Sequence, residues 1–220
     1  MSKKLLCIFI YTVFICILSI GCTVAYYQYV IFDSGVESLT QMDDKQVSNS
    51  PLKDSDTLVE IMSYGCHFCA INDKAVTELE KRLPQGGKVV RLHLENAGSS
   101  GLARYASVFA TLQVMGIEAE YREKVYVAII NDNKDLSDNI VLNRWLATNG
   151  IDVEKYHAVE ASQETKDLMK YMNEVSRYYN VIATPAFIVN KRWIAFQDRD
   201  FDKFGDHLLS LLKTNKPLEQ

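Results

Sequence analysis

The hydrophobic pattern divides the chain into blocks of different period. After the basic pair Lys3-Lys4, no charged residue occurs from Leu5 to Phe32. As a helix at about 1.5 Å per residue this run spans roughly 42 Å, more than a bilayer core of about 30 Å. It also exceeds the apolar stretch of about 7–15 residues in a secretory signal. Residues 1–32 are therefore expected to be an uncleaved signal anchor, a transmembrane helix with Lys3 and Lys4 on the cytoplasmic side. Tyr26-Tyr27-Gln28-Tyr29 suits the far interface. A cut after Ala25 in Thr23-Val24-Ala25 is the alternative and would release a soluble exported chain. Gly21-Cys22 hints at a lipoprotein site, with Ser19 where that motif usually has Leu. In each case the bulk of the chain is exported.

Residues 33–56 are polar, with Asp33, Glu37, Asp43, Asp44, Asp54 and Asp56 against Lys45 and Lys53. With Ser48-Asn49-Ser50-Pro51 they predict a solvated linker, the alternative being a short edge strand over Val36 to Thr40. From 57 to 98 the pattern reads as a β-prone run (Thr57 to Ser63), a Tyr64-Gly65 turn and a helix. That helix is marked by Ala70, Ala75, Val76, Leu79 and Leu83 and stopped by Pro84. A Gly86-Gly87 turn and a strand over Lys88 to Leu94 follow. Residues 99–180 are helical throughout, in five segments. Asn149-Gly150 closes the third, and Ser162-Gln163-Glu164-Thr165 opens the fifth. From 181 to 216 the pattern returns to strand (Ala186 to Val189), turn (Asn190-Lys191-Arg192), strand (Trp193 to Phe196) and amphipathic helix (Asp200 to Lys213). Helices lying between two groups of strands predict an α/β domain with a helical insertion.

Charge narrows the function classes. The chain carries 24 Lys and Arg against 28 Asp and Glu, a net charge of −4. Its basic clusters, Lys81-Arg82 and Lys191-Arg192, are two residues long, so nothing points to nucleic acid. No glycine-rich phosphate loop is present. Three of the five cysteines, Cys7, Cys16 and Cys22, lie in the apolar block, where they serve as small hydrophobic filling. Cys66 and Cys69 alone remain in the exported part, and one adjacent pair is no structural disulfide framework.

A strand, a turn, Cys66-His67-Phe68-Cys69 and a helix read together as a redox dithiol of the thioredoxin type. Cys66 falls at the helix start, where unpaired N–H groups and the positive end of the dipole favour a thiolate. Cys69 lies one turn on, placed to attack a mixed disulfide at Cys66. His67 adds a positive charge beside that thiolate when protonated. A structural disulfide or a zinc half-site is the alternative. Zinc would need two more ligands, and His93, His157 and His207 are scattered; no metal site is expected. His93 is expected to hydrogen-bond structurally. Glu60 interrupts an apolar strand, and a buried carboxylate there would have a raised pKa suited to carrying a proton. The alternative is a solvated edge glutamate.

Glu60, Cys66-His67-Phe68-Cys69, Leu83-Pro84-Gln85-Gly86, the helical insertion and Thr184-Pro185-Ala186-Phe187-Ile188-Val189-Asn190 resemble the DsbA-like thiol:disulfide interchange proteins. The resemblance runs from about Thr57 to the last helix. It implies a thioredoxin fold with an inserted all-helical subdomain, in the bacterial periplasm. It also implies a cis peptide at Thr184–Pro185, Cys66 as the attacking sulfur, and Glu60 as a proton carrier near Cys69. Phe68, Thr184 and Pro185 would meet an extended substrate peptide by strand addition. The redox disulfide would be the sole redox group, with no separate cofactor, reoxidised by a quinone-linked membrane protein of the DsbB kind. His67-Phe68 stands where the best-known members carry Pro-His, and Thr184 is more familiar from isomerase and reductase branches. Hence three functions are carried forward. They are an oxidase for exported proteins, an isomerase or reductase kept reduced by a membrane electron donor, and a tethered chaperone without redox turnover.

Overall fold

In the computed structural model, which describes residues 3–26, 38–53, 57–84, 87–96 and 100–217, five strands make one sheet. They are β1 (Leu39–Gln41), β2 (Leu58–Met62), β3 (Val89–His93), β4 (Ala186–Val189) and β5 (Trp193–Phe196), ordered β1-β5-β4-β2-β3. β2 runs parallel to β3 and antiparallel to β4, and every one of its five residues is buried. A strand covered on both faces needs an apolar run rather than an alternating one, which is how Leu58-Val59-Glu60-Ile61-Met62 reads apart from Glu60.

The chain forms two units, 1–37 and 38–220. In the first, α1 (Lys3–Tyr26) carries exposed apolar side chains over residues 10–24, with Cys16 and Cys22 as free thiols. Among the described residues, which on α1 include side chains over 10–24 only, no helix is long and apolar enough to cross a membrane. Several expectations lie outside the described residues: Tyr27 to Tyr29, Asp33, Val36 and Glu37, Asp54 and Asp56, Gln85 and Gly86, and the boundary at 98–99. The side chain of Cys7 does as well.

The stretch expected to be a solvated linker is instead partly folded onto the second unit, and this corrects that reading. β1 pairs antiparallel with β5, Leu39 opposite Ala195, and Met42 N donates to Arg192 O at 2.7 Å. α2 (Asp44–Ser48) follows, started by a reciprocal capping box between Asp43 and Gln46. Met42 and Leu52 are buried, and the Ser50 and Tyr179 hydroxyls lie 2.6 Å apart. Three widely spaced apolar anchors in a polar stretch leave no periodic pattern, yet they suffice once a free strand edge lies beside them.

Helices cover both faces of the sheet. α3 (His67–Glu80) and α9 (Phe201–Thr214) pack together on one, with Leu58, Val76, Phe187, Trp193, Phe204 and Leu208 in their core. The other core is larger and takes in the helices between β3 and β4. These are α4 (Ala106–Val114), α5 (Glu118–Tyr126), α6 (Asn139–Thr148), α7 (Val153–Glu160) and α8 (Gln163–Tyr178). α6 ends at Asn149 and Gly150, whose φ of 75° needs a residue without Cβ. Ser162 caps α8 by accepting from Thr165 N. Tyr64, Phe109 and Tyr156 are fully buried, each contributing about 2–3 kcal/mol by area removed from water. The β4–β5 hairpin turns at Asn190 and Lys191, both at positive φ (50° and 58°), a conformation matched to the twist of the strands. Asn190 Nδ2 donates to Leu212 O at 3.1 Å, tying the turn to α9.

Candidate active site

The carboxyl end of β2 leads straight into the site. Ser63 is buried, donates its hydroxyl to Leu102 O at 2.6 Å and accepts the Gly65 N–H at 3.1 Å. Its carbonyl accepts from Cys66 N at 3.0 Å, so a tight turn delivers Cys66 to the start of α3. Tyr64, within that turn, is held by its backbone N–H donating to His93 Nε2 at 3.0 Å. The proton of His93 is therefore on Nδ1, which donates to Leu94 O at 2.8 Å. Burial lowers the His93 pKa to about 4 and keeps the ring neutral, in keeping with the structural role expected for it.

Cys66 is the N-cap of α3, and its sulfur accepts the Cys69 N–H at 3.1 Å. This places sulfur where a helix presents unpaired donors and the positive end of its dipole. The pair is present as two thiols, and the Cys66 thiol donates to Thr184 O at 3.2 Å. The Thr184–Pro185 peptide is cis, and Pro185 is buried. Thr184 Oγ1 is buried without a hydrogen-bond partner, so a donor stands beside the sulfur for its ionised state.

The two thiols are displaced in opposite directions. The Cys69 thiol bonding to Cys66, the Thr184 side chain and the N–H groups of Cys69 and Phe68 lower the Cys66 pKa to about 6, against some desolvation. Cys69 is fully buried; desolvation, its bond to Cys66 and the nearby charges of Cys66 and Glu60 push its pKa far up. One sulfur is thus an anion at neutral pH, and its neighbour keeps its proton.

His67 is exposed and makes no hydrogen bond, so hydrogen bonding to the Cys66 sulfur comes from Cys69 and the Thr184 loop. It lines a cleft of about 360 Å³ between α3 and α5, with Ala70, Ile71 and Tyr126 among its walls. Phe68 stands out from the surface at 66 % exposure, as do Ile71 at 61 % and Ile182 at 66 %. Neither isoleucine carries a sequence signal for a site; only the folding of the Pro185 loop against α3 makes Ile182 relevant.

Glu60 is buried at 2 % exposure rather than solvated, and Arg91 on the neighbouring strand donates Nε to its Oε2 at 3.0 Å. Desolvation still prevails over that guanidinium and raises the Glu60 pKa to about 7. Arg91 is a site residue that motif reasoning missed. The available signal was a cation inside the apolar strand Val89-Val90-Arg91-Leu92, mirroring Glu60 in its own strand. Beyond it lie Asp73 on α3 and Arg122, Glu118 and Tyr64, all with their polar groups turned inward. Among the described residues no three His, Cys, Asp or Glu side chains are grouped as a metal ion would require.

The profile of the DSBA-like thioredoxin domain matches residues 57–209. The chain belongs to this family. Within the DsbA-like group it is 27% identical over 136 residues to the thiol:disulfide interchange protein DsbA of Pseudomonas aeruginosa, covering 62% of this chain and 64% of that protein. It is also 27% identical over 153 residues to DsbA of Bordetella pertussis, covering 67% of this chain and 72% of that protein. The chain thus aligns with a little under two thirds of the Pseudomonas relative's length. The crystal structure of Pseudomonas aeruginosa DsbA superposes with a TM-score of 0.68 at 21% identity, over 81% of this chain and 94% of that one. A DsbA structure from Klebsiella pneumoniae superposes with a TM-score of 0.63 at 22% identity, over 81% of this chain and 95% of that one. The fold is thioredoxin-like with a helical insert, as in those DsbA structures.

Proposed function

We propose that the chain is a thiol:disulfide oxidoreductase that introduces disulfides into exported proteins in the bacterial periplasm. The observation that carries this reading is the opposite displacement of the two thiols, with Cys66 low and Cys69 high. A thiolate stable at neutral pH favours the reduced pair, which makes its disulfide an oxidant.

The reaction then runs in two exchanges. A substrate thiolate attacks Cys66 Sγ of the Cys66–Cys69 disulfide. The S–S bond breaks, and its electron pair leaves on Cys69 Sγ, which takes a proton from Glu60. A second substrate thiolate attacks the substrate sulfur of the mixed disulfide, and Cys66 leaves as the thiolate. Two thiols have become one disulfide and the enzyme pair is reduced. Of the two protons released by the substrate thiols, one returns to Glu60 in place of that passed to Cys69, and the other stays in solution above the Cys66 pKa of about 6.

Phe68 offers an apolar contact to the incoming peptide. Thr184 and Pro185 offer backbone beside the sulfur, where an extended segment can add as a strand. A Proteus mirabilis DsbA has been solved with the peptide PWATCDS bound, a cysteine-containing segment of the kind this reading requires. His67, when protonated, adds positive charge near the thiolate. Reoxidation falls to a quinone-linked membrane protein of the DsbB kind. The uncharged run from Leu5 to Phe32 anchors the chain in the inner membrane.

The resting redox state in cells tests this against a reductase. Acid quenching and thiol alkylation are expected to find the Cys66–Cys69 pair oxidised in the full-length protein. A pair found mostly reduced would overturn the oxidase reading.

A further inference from the structure

Two buried carboxylates, Glu60 and Glu118, the half-buried Asp73 and two guanidiniums meet behind Cys69 in a chain of alternating charge. Arg91 bonds Glu60 at 3.0 Å, but its other nitrogens lie 3.8 Å from Asp73 and 3.9 Å from Glu80. Several anions thus compete for one cation. Asp73 lies closer to Arg122, at 3.3 Å. Arg122 is itself fixed: Nε and Nη2 donate to the two Glu118 oxygens at 2.8 and 2.5 Å, and Tyr64 OH donates to Glu118 at 2.9 Å. Arg122 is 7% exposed, Glu118 2% and Tyr64 0%, so water does not substitute for any of these bonds.

We propose that Arg122, carried on α5 of the helical insert, is a positioning residue for Glu60: by holding Asp73 it leaves Arg91 to Glu60 and sets that carboxyl's proton occupancy. Leaving aside Glu80 at the more exposed edge, Glu60, Asp73 and Glu118 outnumber Arg91 and Arg122 by one negative charge. A buried cluster sheds such a surplus by keeping a proton, and the buried carboxyl with the fewest donors keeps it. Glu118 accepts twice from Arg122 and once from Tyr64, whereas Glu60 accepts only from Arg91, so Glu60 is that group. The groups facing it are Arg91 from β3, Asp73 and Cys69 from α3, and Arg122 and Tyr126 from α5. On β4 its register partner is Phe187, which carries no charge. The inference rests on the reading that Glu60 serves Cys69, but its test does not require exchange activity.

The test is the titration of the Glu60 carboxyl, followed by carbon NMR in the reduced full-length protein. Arg122→Met removes a cation and frees Asp73 to draw on Arg91, so the midpoint rises by about one pH unit from about 7. Arg122→Lys restores it. Glu118→Gln removes the surplus charge while leaving Arg122 in place, so the midpoint falls. A merely structural role would move Arg122→Met and Glu118→Gln in the same direction, and that result overturns the proposal. The double variant Glu118→Gln/Arg122→Met leaves no unpaired Glu118 charge and so guards against misfolding. Its midpoint still rises, because Asp73 is free. An unchanged midpoint in both Arg122→Met and the double variant overturns the role of Arg122 and leaves the cysteine chemistry untouched. A Glu60 midpoint that moves while the pH profile of exchange stays fixed supports the placement by Arg122 and overturns the proton-carrier reading instead.

Discussion

In Cys66→Ser, oxidation of a reduced substrate peptide is expected to fall to the uncatalysed background, whereas Cys69→Ser, offered a peptide as its mixed disulfide with glutathione, is expected to displace glutathione and hold the peptide in a long-lived mixed disulfide. The asymmetry follows from placement. Cys66 caps α3, takes the Cys69 N–H at 3.1 Å and has a pKa of about 6, so about nine tenths of it is thiolate at pH 7. Cys69 is fully buried and its pKa is pushed far up, so it neither meets substrate nor ionises unaided. Its part is to resolve what Cys66 captures, so without it a mixed disulfide formed at Cys66 persists. Non-reducing gels with a single-cysteine peptide supplied as its glutathione disulfide separate the two outcomes. A Cys66→Ser variant that no longer oxidises the peptide yet retains its cellular role would point to the non-redox chaperone function instead.

The second large effect is on stability. Glu60→Gln is expected to be more stable than the parent above pH 7, by about 3 kcal/mol, with the difference vanishing below pH 4.5. The Glu60 carboxyl has a folded pKa of about 7 against 4.5 when unperturbed. Between those values the native state holds a proton that the unfolded chain has released. The favourable contribution is therefore complete below 4.5 and is lost as pH rises through 7. An amide escapes that loss because it carries no charge to desolvate. It does not strand Arg91, which keeps Asp73 at 3.8 Å and donates to Thr77 Oγ1 at 3.2 Å. Urea denaturation at pH 8 and pH 4 measures both ends of the window. A variant less stable than the parent at pH 8 would mean that the Arg91 pair outweighs the desolvation of Glu60.

Much of this site could be read before any coordinates, and the reason is local. Cys66 and Cys69 are three residues apart at a strand-to-helix turn, and their relation depends on little beyond that turn. Thr184-Pro185 and the interruption of an apolar strand by Glu60 are likewise features of a few neighbouring residues. The helical insertion was legible because five stretches keep a helical period. What escaped depends on register between distant elements. Asp73, Glu118 and Arg122 look like solvated helix surface, since an inward-facing charge on a short helix carries no sign of its direction. Only the packing of α5 on α3 turns them toward Glu60. The same holds for Leu39, Met42 and Leu52: the edge strand offered as the alternative over Val36 to Thr40 forms on β5 at Leu39–Gln41, and the fold of the residues after it carried no sequence signal. His67 is the neighbour whose place follows from the sequence alone. It adjoins the thiolate in sequence, and its exposed ring offers charge rather than a hydrogen bond.

The central claim is that Cys66 is an anion at neutral pH, and ultraviolet titration of the thiolate measures it directly. In the reduced full-length protein, absorbance near 240 nm, taken as the difference from the oxidised form, should rise with a midpoint of about 6 and lose that step in Cys66→Ser. A midpoint near the ordinary thiol value of about 8.5 would contradict the account.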